Sequence, residues 1–146
     1  MTFEEGSLLT EIQDSAFDSC SHLRNIIIPA GVTTIGNSAF WRCVRLESVT
    51  FADGSQLATI GNNVFRECIR LSTITLPATL TQFGAGVFAE CSALESIVFA
   101  DSSNWTYADA ADSADWTAVD VSDSAANVEL LIQTLAGKYF KKSAGD

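Results

Sequence analysis

Basic residues are scarce in this chain. Its 146 residues hold 8 Lys and Arg against 18 Asp and Glu, a formal net charge of −10. Such a chain repels a polyanion on average, which argues against nucleic acid as a general partner. Histidine occurs once, at His22. Nucleophilic catalysis needs a base within hydrogen-bond reach of the nucleophile, and no second imidazole exists to share that work. No apolar run approaches the roughly 20 residues that span a bilayer, so membrane insertion by a helix is not expected. The opening Met1-Thr2-Phe3-Glu4-Glu5-Gly6 has neither a basic nor a hydrophobic region and does not read as a signal peptide. Walker loops, His-Glu-x-x-His and Gly-x-Gly-x-x-Gly are all missing. What remains is 47% hydrophobic and only 18% charged, a composition that builds a packed core.

That composition is distributed periodically. Cysteines stand at Cys20, Cys43, Cys68 and Cys91, separated by 23, 25 and 23 residues. Three residues before each lies Phe17, Phe40, Phe65 or Phe88, and three after each lies Leu23, Leu46, Leu71 or Leu94. Further columns are Ile26, Val49, Ile74 and Ile97, then Ile28, Phe51, Leu76 and Phe99. Upstream of the phenylalanines run Leu9, Val32, Leu57 and Leu80, then Ile12, Ile35, Ile60 and Phe83. A single copy is too short to bury such a ladder, whereas stacked copies lay like on like and form one long core.

The period-two alternation of Leu-x-x-Ile-x-Ile predicts a short strand in each copy. Successive copies should pair these strands into one parallel sheet, with a spacing of roughly 4.8 Å. Val32-Thr-Thr-Ile35 and its equivalents predict a shorter strand on the opposite wall. Gly36, Gly61 and Gly84 follow at a bend, with Asp14 read as the substitute in the first copy. Polar residues such as Asn37 and Ser38 suit the cap of a helical turn that points Phe and Cys inward. The Asp53-Gly54-Ser55 copy takes a longer turn, which accounts for the 25-residue interval.

The pattern Cys-x-x-Leu-x-x-Ile-x-Leu-Pro-x-x-Leu-x-x-Ile-Gly-x-x-Ala-Phe-x-x-Cys resembles the BspA-like, treponemal-type class of leucine-rich repeats. Cys20–Cys43 and Cys68–Cys91 follow it almost column for column, and the resemblance covers roughly residues 3–103. It implies a leucine-rich-repeat solenoid and a bacterial surface or exported protein engaged in attachment and protein binding. The fold class expected is a β-rich α/β solenoid, a parallel sheet with short helical turns and a C-terminal capping helix.

Residues 1–103 read as about four copies of 23–25 residues, the first truncated, and 104–146 as an acidic loop followed by the capping helix. Phe3-Glu-Glu-Gly-Ser-Leu-Leu-Thr-Glu-Ile12 aligns with Phe51-Ala-Asp-Gly-Ser-Gln-Leu-Ala-Thr-Ile60, so the first copy begins at a strand end without a polar cap. The expectation is a fragment of a longer protein, or an end face covered by another subunit. Residues 101–124 hold six Asp and no base, with Trp105, Tyr107 and Trp116 among them. Asp123 or Ser122 can cap a helix through about Tyr139, with Val128, Leu131, Ile132 and Leu135 on one stripe. Lys138, Lys141 and Lys142 would oppose the negative end of its dipole. This helix and Trp116 are expected to cover the last coil, with a partner-binding helix as the alternative.

The chemistry-bearing residues point away from catalysis. The cysteines lack the close pairs of zinc sites and lie too far apart in stacked coils for disulfides, so they are expected to be inert ladder thiols. His22 is expected on an exposed loop. Asp109, Asp112 and Asp115 lack the alternating ligands and distal Glu of a calcium loop, and Asn104-Trp105-Thr106 is a glycosylation sequon in form only. No cofactor is expected. Two surfaces remain. The concave face of the main strands presents Asn25, Ile27, Ser48, Thr50, Thr73, Thr75, Ser96 and Val98, all uncharged and partly apolar, as a docking face for a protein partner whose identity the sequence does not supply. All five Arg lie between residues 24 and 70, where Trp41, Arg42, Arg45, Arg66 and Arg70 suggest a secondary basic patch, or an edge balanced by Glu47, Glu67 and Glu90. The functional expectation is a non-catalytic protein-binding module, an adhesin-like surface protein that attaches to host or extracellular proteins. The alternative is a self-assembling structural protein whose concave face or raw coil end forms a homo-oligomer.

Overall fold

The computed structural model describes residues 1–143. The two strand patterns fold as two walls. The first wall carries β2 (Asn25–Ile28), β4 (Ser48–Phe51), β6 (Thr73–Leu76) and β8 (Ser96–Phe99). The second begins with β1 (Glu11–Ile12), β3 (Thr34–Ile35), β5 (Thr59–Ile60) and β7 (Gln82–Phe83), paired parallel in that order, with Ile12, Ile35, Ile60 and Phe83 in one register column. Alternation holds along the first wall: Ile26 and Ile28, Ile74 and Leu76, Ile97 and Phe99 are buried, while the residues between them face outward.

A run of tight turns, rather than a regular helix, closes each coil. Ser15, Ser38, Asn63 and Gly86 are left-handed, as are Ser19, Arg42, Glu67 and Glu90. Alternating handedness aims successive N–H groups along the stack. In the second coil Ser38, Phe40 and Arg42 donate to the carbonyls of Asn62, Val64 and Arg66. The backbone polarity of a third wall is thereby satisfied without strands.

Phe17, Phe40, Phe65 and Phe88 stack inside with ring centroids 5.1, 5.6 and 5.9 Å apart. The cysteines bond between coils: the thiols of Cys43, Cys68 and Cys91 donate to the carbonyls of Phe17, Phe40 and Phe65 at 3.1, 3.2 and 3.0 Å. A polar ladder runs alongside. The Asp14 carboxylate accepts the Asn37 N–H, Asn37 Oδ1 accepts that of Asn62, and Asn62 Oδ1 accepts that of Ala85, at 2.7, 2.8 and 2.9 Å. Those oxygens explain the glycines. A Cβ on Gly36, Gly61 or Gly84 would lie 2.4, 2.6 or 2.1 Å from the ladder oxygen of the coil in front. Gln13, not Asp14, therefore holds the glycine column in the first coil, and Asp14 belongs to the Asn column.

Two other expectations are corrected. The first wall is not one sheet: β2 pairs with β4 and β6 with β8, with no pairing between β4 and β6. The interruption follows the long Asp53-Gly54-Ser55 turn, which offsets one coil from the next. The C-terminal region is only briefly helical. Asp123 Oδ1 does accept the N–H groups of Ala125 and Ala126, both at 3.0 Å. However, α1 (Ala126–Glu129) passes into a π-helical turn (Leu130–Thr134) that ends well before Tyr139. The chain then returns as β11 (Tyr139–Lys142), antiparallel between β7 and β9 (Trp105–Ala108), with β10 (Thr117–Ala118) beyond. Residues 104–124 are thus partly strand, not simply an acidic loop. Lys141 and Lys142 sit on a strand, where the helix dipole does not apply. Trp105, 2% exposed and packed on Phe83 and Phe99, covers the last coil instead of Trp116. Trp116 is half-buried under Lys141, whose ammonium lies 4.0 Å from its ring.

Phe65→Ala empties an inner rung and is expected to cost about 3–5 kcal/mol in urea denaturation. Gly61→Ala drives a methyl against Asn37 Oδ1 and against the Asn37 backbone nitrogen at 2.8 Å. It is expected to cost about 1–3 kcal/mol, and unchanged stability would contradict the ladder. The cap strand is clipped by an ion pair between Lys142 and Asp101. The Lys142 bond, then that from Ser103, holds the Asp101 carboxyl well below the usual range. Its contribution is complete above the ordinary carboxylate pKa and is lost as pH falls below it. Asp101→Asn should therefore flatten the acid limb of a melting-temperature profile below about pH 4.

Candidate protein-docking face

Every main-strand residue expected on the docking face points outward. Asn25 and Ile27 on β2, Ser48 and Thr50 on β4, Thr73 and Thr75 on β6, and Ser96 and Val98 on β8 form two columns, none of them buried. Ile27, the largest apolar side chain on this face, is 44% exposed. Within each strand pair the hydroxyl column is linked: Ser48 Oγ donates to Asn25 Oδ1 at 2.8 Å, and the Thr73 and Ser96 hydroxyls lie 2.7 Å apart. These bonds consume polar capacity sideways, and the neighbouring column consists of methyl-bearing Ile27, Thr50, Thr75 and Val98.

The break between β4 and β6 shapes this face. A cleft of about 510 Å³ opens there, with Ser48 and Thr50 on one bank, Thr73 and Thr75 on the other, and Phe51 and Pro77 toward one end. Phe51 is only half-buried, whereas Ile28, Leu76 and Phe99 in its column are buried. No charged side chain lines the cleft. A second hollow of about 350 Å³ lies beside Ile27, between Phe3 and Pro29. Neither was legible in the sequence, although the 25-residue interval marks where the first one falls.

The arginine surface is organised differently from a basic patch. Glu67 accepts the Trp41 indole N–H at 3.1 Å and Arg42 Nε at 3.2 Å, with Arg66 beside it, and Arg66 also pairs with Glu90 at 2.7 Å. The Trp41 bond, then Arg42 and Arg66, lowers the Glu67 pKa. Arg70 lies 3.7 Å from Glu47. Trp41, Arg42, Arg66 and Arg70 are therefore committed to hydrogen bonds or ion pairs with glutamates, while Arg24 and Arg45 carry no ion pair among the described residues. These pairs place Glu47, Glu67 and Glu90 against three of the five arginines.

The thiols are shielded. Cys43, Cys68 and Cys91 are buried, and burial pushes Cys43 and Cys91 up to about 12 and Cys68 upward as well. Cys20 alone is half-exposed, because no coil lies in front of it. His22 is exposed, its Nδ1 3.3 Å from Ser21 Oγ. Asp109 is paired with Lys138. Among the described residues no group of His, Cys, Asp and Glu gathers in a way that could hold a metal ion, and no helix is long and apolar enough to cross a membrane.

A family profile for the BspA type leucine rich repeat region, of six copies, matches residues 2–113. The chain belongs to the BspA-type leucine-rich repeat family. Solved structures agree. A Treponema pallidum leucine-rich repeat protein is 28% identical, with a TM-score of 0.58 over 66% of this chain and 48% of its own. The pneumococcal vaccine antigen PcpA is 31% identical, with a TM-score of 0.66 over 71% of this chain and 25% of its own. A leucine-rich cell surface protein of Faecalibacterium prausnitzii is 26% identical, with a TM-score of 0.56 over 70% and 32%. The chain thus spans less than half the length of each of these BspA-type or related repeat proteins. No curated protein sequence matched it.

In this leucine-rich-repeat stack, one thiol should react with a disulfide reagent under native conditions, and Cys20→Ser should remove that phase. The other three should follow at the rate of unfolding. Rapid native reaction of all four would contradict the ladder assignment.

Proposed function

We propose that this chain is a non-catalytic protein-interaction module that docks a partner protein across the outward face of its main strands. The observation that carries this reading is the uncharged face itself. In a chain of net charge −10, eight outward strand positions bear no charge, Ile27 is exposed among them, and a cleft interrupts them at β4 and β6. A concave or flat apolar-and-hydroxyl surface held by a rigid repeat suits a large, shape-complementary partner better than a small ion or nucleotide. A further role in attachment at the bacterial surface is supported by the likeness to a leucine-rich cell surface protein and to a pneumococcal vaccine antigen.

Docking is tested by Ile27→Lys together with Val98→Lys, which changes outward residues and leaves the rungs intact. Far-UV circular dichroism and melting temperature should be unchanged. Binding to a panel of immobilised extracellular-matrix and mucosal proteins, read by biolayer interferometry, should weaken at least about tenfold for any protein the parent chain retains. Retained affinity in the folded double variant would refute the outward face as the docking surface.

A further inference from the structure

The second wall carries a small pocket beneath the Asp-rich loop that leads into β10. The loop is fixed at both ends. Asp109 pairs with Lys138 at its start. At its end the Trp116 indole N–H donates to the Ser113 carbonyl at 2.8 Å, and the Lys141 ammonium lies 4.0 Å from the ring. Loop and wall together bound about 190 Å³, with Ala111 and Trp116 on one side and residues of β5, β7 and β11 on the other. That volume is below the ~300 Å³ at which drug-sized pockets begin, so it admits one ring rather than a chain.

The polar groups around the pocket are unused. Asn62 Oδ1 accepts the Ala85 N–H, which fixes the carboxamide and leaves Nδ2 with no partner among the described residues. The Tyr139 hydroxyl makes no hydrogen bond among the described residues either, and both groups are accessible rather than sealed in the interior. Gln82 reaches only the Thr59 hydroxyl, at a long 3.4 Å. Of the chain's three lysines, Lys138 and Lys142 pair with Asp109 and Asp101. Lys141 has no anionic partner among the described residues and rests on Trp116. It is also the only charged side chain among the described residues that line the pocket, although Asp112 and Asp115 stand in the same loop.

We propose that this pocket binds a single sugar ring that bears a carboxylate. Trp116 and Tyr139 supply aromatic walls, whose electron-rich faces suit the C–H face of a sugar. The Lys141 ammonium meets the carboxylate in a charge-assisted hydrogen bond. Asn62 Nδ2, the Tyr139 hydroxyl and the Gln82 carboxamide offer donors and acceptors to the ring hydroxyls. Two simpler ligands fit less well. An aromatic acid of the same size answers Lys141 but leaves those neutral groups unpaired. A neutral sugar satisfies them but leaves Lys141 without an anion. The net charge of −10 does not forbid an anion here. At physiological ionic strength the Debye length is about 8 Å, so a small ligand senses the groups beside it more than the whole chain. The pocket shares no residue with the outward face of the main strands and does not require that face to bind anything.

Titration of the isotope-labelled chain, followed by NMR, tests this. Methyl glucuronide and methyl galacturonide are the probes, with the matching neutral methyl glycosides and benzoate as controls. At least one uronide should shift the Trp116 indole and Asn62 carboxamide signals with a millimolar Kd. It should bind at least about fivefold more tightly than its neutral counterpart and than benzoate. Lys141→Met should bring the uronide down to the level of the neutral glycoside, and Lys141→Arg should keep the preference. Trp116→Ala should abolish binding of every sugar. Trp116→Phe carries that arm if the alanine variant does not fold, and there binding should weaken. Ile27→Lys with Val98→Lys should leave sugar binding unchanged, so failure of protein docking and failure of this site read separately. The proposal is overturned if neither uronide shifts those signals, if benzoate or the neutral glycosides bind as tightly, or if folded Lys141→Met keeps the preference for the uronide.

Discussion

Stacking of like on like governs this molecule. A coil of 23 residues has no inside of its own, because every apolar side chain it carries lies on a rim. The rim becomes an interior only when the same side chain of a neighbouring coil lies above it, as with the phenylalanine rings spaced at 5.1–5.9 Å. Hydrogen bonding follows the same rule. Strand edges, turn amides, thiols and the Asp14–Asn37–Asn62 ladder all bond to the next coil, so dispersion, burial and polarity share one axis. Stability is therefore distributed between neighbours, and the weak places are the ends and any coil of unequal length.

Both kinds of weak place bear on function. The longer second interval falls where β4 and β6 are unpaired, and the opening becomes a cleft in the middle of an otherwise uniform surface. Residues on its banks are small and hydroxylated, so the cleft stays shallow and uncharged. At the C-terminal end the repeat gives out after Phe99. A Trp105 side chain, a short helical segment and a returning strand finish the interior with different residues in different geometry. That cover is held by few contacts of high quality: a buried carboxamide, one aromatic stack and an ion pair at its edge.

Charge plays a local role. The arginines cluster in sequence, yet column stacking sets Glu67 and Glu90 directly beside Arg42 and Arg66, and the cluster cancels itself. The buried thiols make a similar point, since their spacing is that of the hydrophobic ladder and they occupy its rungs. What remains free to recognise a partner are the residues between the rungs, where identity is unconstrained by stacking.

The repeat, its boundaries, the buried columns and the outward columns were all legible in the sequence, because each depends on periodicity and periodicity is local. Phe40, Phe65 and the alternation around Ile27 needed no coordinates. The C-terminal region was misread for the same reason in reverse. Val128, Leu131 and Leu135 have helical spacing, but the pairing of Tyr139–Lys142 with β7 and β9 depends on a partner more than thirty residues away. The β-prone run Trp105-Thr106-Tyr107 was the one local hint of it. Asp14 was placed in the glycine column although Gln13 follows Ile12 directly, as Gly36 follows Ile35, so the right assignment was legible in the sequence. The break between β4 and β6 and the pairing of the arginines were not legible, because both depend on contacts between coils. Sequence by itself determined that coils form and which face each residue takes. Tertiary structure alone decided how neighbouring coils register, where the stack opens and how it ends, because those depend on distances between residues that the chain brings together only when folded.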